Sequence, residues 1–336
     1  MERQQNLLAR VLCAVGLALA PVVALSLSPA AGITGLMVLG MLPTLTAAAS
    51  GPRAMLWAGG ASVAVAFLAA LTTGSGALLP WLGTALVVAV AFATGALSPY
   101  GLHPVGASTI AFAAYVLVDP SRVVHTLGAH LSPLATAALL AGFVLAAAGW
   151  VYAVAAVLLR GVRLPATAGP TTLPYGLLLA ALCGAFTLVC LIWFRGTNAW
   201  WSVMTIAMIL QPTHADTASK INGRIAGTIL GGTAAAVLAV LIPGAAATTL
   251  LGLVATLLSV PLLLGGAAYW KYTTAATTSV ILLTFDRSTL LVGDVQRILI
   301  TVLAAAVTAA TVWAASRLAG RVADDGENGS AVISRR

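Results

Sequence analysis

Uncharged apolar runs of roughly 20 residues follow one another along nearly the whole chain, and no other feature restricts its folding as strongly. A helix needs about 20 residues to cross the hydrocarbon of a bilayer, whereas a membrane strand needs about 10 in strict apolar–polar alternation, a pattern that does not recur here. With 60% hydrophobic and 7% charged residues, the chain has too little polar surface to cover a water-soluble globule. The expected fold is all-α, a polytopic membrane helical bundle.

Twelve runs qualify as spans: residues 11–28, 31–50, 54–73, 77–97, 104–118 and 134–159, then 174–194, 198–212, 225–242, 245–264, 268–285 and 298–319. Lys and Arg favour cytoplasmic loops. With both termini inside, Arg3, Arg10, Arg53, Arg160, Arg163, Lys220, Arg224, Lys271, Arg317, Arg321, Arg335 and Arg336 fall on the inner side. Only Arg122, Arg195, Arg287 and Arg297 fall outside, twelve against four. The net charge of +8 is thus read as topology. No soluble basic patch with interleaved aromatics points to nucleic acid.

A shift of about 170 residues brings the halves into register: Arg53 falls on Arg224, Gly60 on Gly231, Cys13 on Cys183, and Tyr100 and Asp119 approach Tyr269 and Asp286. Six spans per half make the repeats parallel, with substrate between them. The expected layout is a first six-span repeat over 1–160, a linker over 161–173 rich in Gly, Pro and Thr, a second repeat over 174–320, and a disordered cytoplasmic tail over 321–336. The N-terminus imitates a secretion signal, with Arg3 and Arg10 before an apolar run, but its place in the repeat argues that it is kept.

Polar chemistry concentrates between Asn198 and Gly232. Arg224 opens a span whose Gly227 and Gly231 share one helical face and let a neighbouring helix come close. Arg53 and Gly60 repeat the same seven-residue step, so two guanidiniums at equivalent depth are expected to collect an anion. The plain alternative is that each Arg anchors its helix at the interface. Gln211 precedes Pro212, which removes a donor and ends a short helix; this reads chiefly as a simple helix end with a polar cap, with the lining of a binding site as the alternative. Trp200 and Trp201 are read chiefly as interfacial belt residues, with stacking of an aromatic substrate as the alternative.

Asp119 and Asp286 occupy equivalent span ends and are candidate proton carriers, or else loop residues paired with Arg122 and Arg287. Asp294 and Arg297 read as loop charges. Cys13, Cys183 and Cys190 lie inside spans, and His103, His125, His130 and His214 are scattered, so neither disulfides nor a metal site is expected. Ser75 and Ser108 lack the partners of a hydrolase, and no phosphate-binding glycine loop is present, so no enzyme is expected.

Trp200 or Trp201, Thr205, Gln211, Pro212, Arg224, Gly227, Thr228 and Gly231 fit a pattern W-x-x-x-T…Q-P…R-x-x-G-T-x-x-G. In these residues the chain resembles the fusaric acid resistance and aromatic acid exporter family. Residues 51–60 look like a degenerate first-half copy that keeps Arg53. The resemblance implies export of aromatic carboxylates or similar organic anions across a bacterial plasma membrane, driven by protons, with Trp200, Trp201 and Thr205 beside the arginines and Gln211 in the binding site. Many relatives carry large cytoplasmic domains, absent here, so docking of an adaptor subunit is left open. The resemblance extends to plant aluminium-activated malate channels, which makes a passive anion channel the runner-up and a membrane scaffold the non-transport alternative. The implied partners are a small organic anion and the lipid bilayer, with a homo-oligomer compatible and no cofactor required. An abundance of alanine, with only two lysines, Lys220 and Lys271, fits a GC-rich bacterial coding bias.

Overall fold

A computed structural model describes residues 2–28, 31–120, 131–160, 173–242, 244–264, 267–284 and 290–333. Twelve α-helices lie among them: α1 (Glu2–Ser26), α2 (Thr34–Ala47), α3 (Pro52–Thr73), α4 (Leu79–Leu97), α5 (His103–Val118), α6 (Pro133–Leu158), α7 (Leu173–Trp193), α8 (Trp200–Ile209), α9 (His214–Leu241), α10 (Ala245–Leu264), α11 (Tyr269–Thr284) and α12 (Leu290–Ile333). Each expected run falls on one helix. Proline supplies a first-turn start at α3, α4, α5 and α6, where its missing N–H costs no hydrogen bond. The Ser132 side chain caps α6 by accepting from the Ala135 N–H at 3.2 Å. The backbone of α12 stays helical to Ile333, through much of the stretch expected to be a disordered tail, and residues 161–172 of the linker lie outside the described residues.

Seven helices among the described residues, not twelve, are long and apolar enough to cross a membrane by themselves. The chain is an integral membrane protein in which two of the shorter helices, α5 and α8, sit inside. At 10 residues α8 is only about 15 Å long, half of a roughly 30 Å hydrocarbon layer. Because α8 is enclosed by other helices, it has no need to match the bilayer. In α5 every residue from Val105 to Val118 is buried, and α8 is buried along its length except for the half-buried Met208. The long helices surround this interior and turn Leu, Val and Trp outward, as at Leu56, Trp57, Trp81, Leu145 and Trp193.

α5 packs on α2, α3, α4 and α8, and α8 also packs on α7, α9 and α12. The halves meet where α4 lies on α7 and α5 on α8, and again where α1 lies on α10 and α2 on α11. The fourth and fifth helices of each half thus face the first and second of the other. α1 is built into this frame: Arg10 donates to the carbonyls of Leu158 and Arg160, each at 2.9 Å, and Trp150 Nε1 donates to Leu17 O at 3.0 Å.

A close seam joins α9 to α11. Gly223, Gly227 and Gly231 face α11, and a Cβ on Gly231 would stand 2.6 Å from the Thr274 carbonyl oxygen. Hydroxyls cross the seam as donors, Thr273 to Gly223 O at 2.7 Å and Thr278 to Gly231 O at 3.1 Å. Gly227 and Gly231 thus lie in this seam, where a side chain would meet α11. Gly60 does not: it is exposed with open space where a Cβ would go, and its neighbour Gly59 makes the contact, 3.3 Å from Ala148 Cβ and 3.4 Å from Thr44 Oγ1. A step of one residue turns a helix by about 100°, which carries the glycine from the packed face to the outer one.

Gly231→Ala should destabilise the protein by about 1–3 kcal/mol, since backbone cannot move aside for the methyl group. Gly60→Ala should be neutral or stabilising by up to about 1 kcal/mol. Thermal unfolding of the two purified variants in detergent separates these outcomes.

Candidate functional site

The polar first turns of α9 decide where Arg224 lies. The Thr213 side chain caps the helix by accepting from the Asp216 N–H at 3.2 Å and donates to Asp216 Oδ2 at 2.6 Å. Helix therefore begins at His214, well before the expected span at 225, and Arg224 stands about 15 Å along it. It is 8% exposed. The guanidinium is an interior group and does not open the span.

Arg224 sits over the ring of Trp201, with Cζ 5.7 Å from the centroid. A second guanidinium, Arg297 of α12, lies over the same ring at 4.4 Å and is 2% exposed. The loop reading of Arg297 is thus corrected: helix begins at Leu290 and carries it inward. Neither arginine counts as a loop charge. Two distances to one centroid leave the guanidiniums at most about 10 Å apart, so their repulsion costs at least on the order of 2 kcal/mol at an effective dielectric near 20. Asp119, Arg224 and Arg297 are buried.

Trp200 and Trp201 are 5% and 2% exposed, so they do not belong to an interfacial belt. Trp200 meets Tyr115 edge to face at 5.0 Å and Trp201 at 5.2 Å. Outward tryptophans near helix ends, Trp57, Trp81 and Trp193, are the residues placed as a belt would be. The buried atoms Arg224 Nε, Trp200 Nε1, Trp201 Nε1 and the hydroxyls of Thr205, Thr228 and Thr301 have no hydrogen-bond partner among the described residues. All can donate.

A second polar cluster lies where α8 ends. Gln211 Nε2 donates to the carbonyls of Met208 at 3.1 Å and Leu210 at 2.9 Å, closing the broken helix end. Its N–H donates to Thr217 Oγ1 at 3.0 Å, and its Oε1 accepts from Lys220 Nζ at 3.0 Å. Lys220 also stands over the Tyr269 ring, 5.5 Å from the centroid, one helical turn before Arg224. The buried His103 at the start of α5 is beside Gln211, Lys220 and Asp216. Lys220 and Arg224 of α9 and Arg297 of α12 each stand over an aromatic ring, Tyr269 for the first and Trp201 for the other two.

Arg53 is exposed at the start of α3, so it and Arg224 are not at equivalent depth. α3 packs on α2, α4, α5 and α6, whereas α9 packs on α8, α11 and α12, and nothing brings the two arginines together. Asp119 is the C-cap of α5 and 2% exposed, near the turn where Gly196 N–H donates to Val118 O at 2.7 Å. Asp286, His125 and His130 lie outside the described residues. Cys183 and Cys190 are buried packing residues and Cys13 is exposed. No His, Cys, Asp or Glu cluster suited to a metal occurs among the described residues. The sequence gives no site role to Arg297, Lys220 or His103, all of them charged or titratable residues next to the long apolar runs.

Residues 182–315 match the family described as fusaric acid resistance protein-like. The resemblance seen in the sequence is borne out over this part, which runs from α7 into α12 and contains Trp201, Gln211, Arg224 and Arg297. No curated protein and no solved structure matches the chain. The family match and the apolar helices fit a membrane transporter.

Trp201→Leu should lower stability by about 2–4 kcal/mol, because it removes buried ring area and leaves two guanidiniums without their π face. A matched change at the exposed Trp57 should cost under about 1 kcal/mol in detergent, as read by thermal unfolding.

Proposed function

We propose that the chain is a secondary transporter that exports organic anions, aromatic carboxylates first among them, across a bacterial plasma membrane in exchange for protons. The observation that carries this reading is Arg224: a guanidinium held well inside the bundle, over Trp201, with Nε unmatched by any acceptor among the described residues. A buried cation is costly in a membrane unless its charge is used, and a planar fork suits a carboxylate. Family likeness over residues 182–315 points the same way.

In this reading Gln211 and Lys220 guard the cytoplasmic approach to Arg224, Thr205 contributes a hydroxyl, and the indoles of Trp200 and Trp201 build the wall. They do not sandwich the substrate, since their faces already meet Tyr115, each other and the guanidiniums. Arg53, on the surface, draws anions towards the cytoplasmic rim. Asp119 handles the proton, with Asp286 as its second-half counterpart. The reciprocal contacts of fourth and fifth helices with first and second support two parallel repeats, rocking about the interior with both termini in the cytoplasm.

Proteoliposomes loaded with labelled hydroxybenzoate should move it uphill when a proton gradient is imposed, and a protonophore should abolish accumulation. Accumulation that survives the protonophore rules out proton coupling, and ohmic current in planar bilayers assigns a channel instead. Arg224→Ala should cut the initial rate at least tenfold, about 1.4 kcal/mol, at unchanged protein yield. Asp119→Asn should retain anion exchange and lose the response to the gradient.

A further inference from the structure

We infer that His103 is a proton-binding site that unlocks the corner between α8 and α9: on taking a proton it breaks the Lys220–Gln211 bond that pins this corner. Geometry carries the protonation, and the transport reading enters only for what the opening serves, an approach to Arg224. Gln211 ties the corner together. Its Nε2 donates to Met208 O at 3.1 Å and Leu210 O at 2.9 Å at the end of α8, its N–H donates to Thr217 Oγ1 of α9 at 3.0 Å, and its Oε1 accepts from Lys220 Nζ at 3.0 Å. Both polar atoms of the side chain are thus engaged, and a pull on Oε1 is felt by two helices.

His103 is the first residue of α5, 7% exposed, beside Gln211, Lys220 and Asp216, and its Nδ1 is buried with no hydrogen-bond partner among the described residues. A neutral imidazole keeps one nitrogen bare, and a proton added there makes both nitrogens donors. The pinned corner suits only the neutral ring. A charged ring would be buried next to the Lys220 ammonium and at the positive end of the α5 dipole, with Gln211 Oε1 already accepting from Lys220. Two cations on one amide oxygen repel each other, so the imidazolium drives Lys220 off. The carboxylate at hand to receive Lys220 is Asp216, one helical turn earlier on α9, and its Oδ2 accepts from the Thr213 hydroxyl, so the exchange also disturbs the cap of α9. Elsewhere around His103, α2, α4 and α8 carry no titratable side chain; α3 carries the exposed Arg53, the turn before α5 the exposed Tyr100, α7 the neutral Tyr175, Cys183 and Cys190, and α9 the exposed His214. Because the pinned corner excludes the charged ring and the open corner admits it, acid favours the open corner, and the effect is lost as pH rises past the histidine range.

Opening of the corner is read by amide hydrogen exchange over residues 207–217 of the purified protein in detergent, at about pH 6 and about pH 8, with each rate corrected for the chemical dependence of exchange on pH. Wild type should exchange severalfold faster there at the lower pH. His103→Gln, which cannot take the charge, should exchange alike at both. His214→Gln, exposed on the same corner, should keep the wild-type difference. Lys220→Met leaves Gln211 free to accept from the imidazolium and should lose the difference, which keeps a variant test in hand if His103→Gln does not fold. Equal corrected rates in wild type at the two pH values overturn the proposal, as does a difference that survives in His103→Gln or Lys220→Met, or one that vanishes in His214→Gln. Uphill transport of hydroxybenzoate by wild type, with equal exchange rates at the two pH values, sinks this site alone; a pH difference that depends on His103, without transport, upholds the proton site and sinks the exporter.

Discussion

The close approach of α9 to α11 governs the second half of the molecule. Three glycines remove the side chains that would hold the two backbones apart, and threonine hydroxyls of α11 donate to glycine carbonyls of α9. In lipid no hydrophobic force draws helices together, so contact of this kind, in which small residues admit backbone to backbone, supplies the association. Arg224 adjoins the first of those glycines. With Gly223 against Tyr269 and Trp270, the guanidinium one residue on is directed to Trp201 and away from lipid.

A second constraint is the division between short and long helices. Helices that face acyl chains must match the bilayer and satisfy their own backbones, whereas an enclosed helix is free of the first demand. α8 uses that freedom to stop after 10 residues, and Gln211 takes up the carbonyls that its end exposes. The outcome is an interior with polar side chains at both ends of a short apolar rod: Gln211, His103 and Lys220 at one, Trp201, Arg224 and Arg297 at the other.

The helices were legible in the sequence because a run of apolar residues long enough to cross a bilayer leaves little choice of structure. The glycine spacing after Arg224 and the Gln-Pro break were legible too, since each has a direct backbone meaning. Depth and facing were not. HADTASKING reads as a loop by composition, yet its capped first turn makes it helix, and that moves Arg224 from the rim inward. Trp200 and Trp201 stand at the end of a run, where a belt is the usual occupant, and only the packing of α8 among α5, α7 and α12 reveals that this end is internal. Gly59 and Gly60 differ by one position, which hydropathy does not resolve, and Arg297 reads as a loop charge in the sequence because burial of a charge depends on partners distant in sequence.

The seam between α9 and α11 also has a mechanical consequence. Helices joined main chain to main chain, with hydroxyl bolts through the joint, travel as one stiff plank; hinging there would tear those bonds out with nothing in the hydrocarbon to replace them. The seams of α9 with α8 and α12 carry instead the contacts of Arg224 and Arg297 with Trp201. Trp201 and its two arginines straddle those joints, so any movement of the plank opens or shuts the charged layer first.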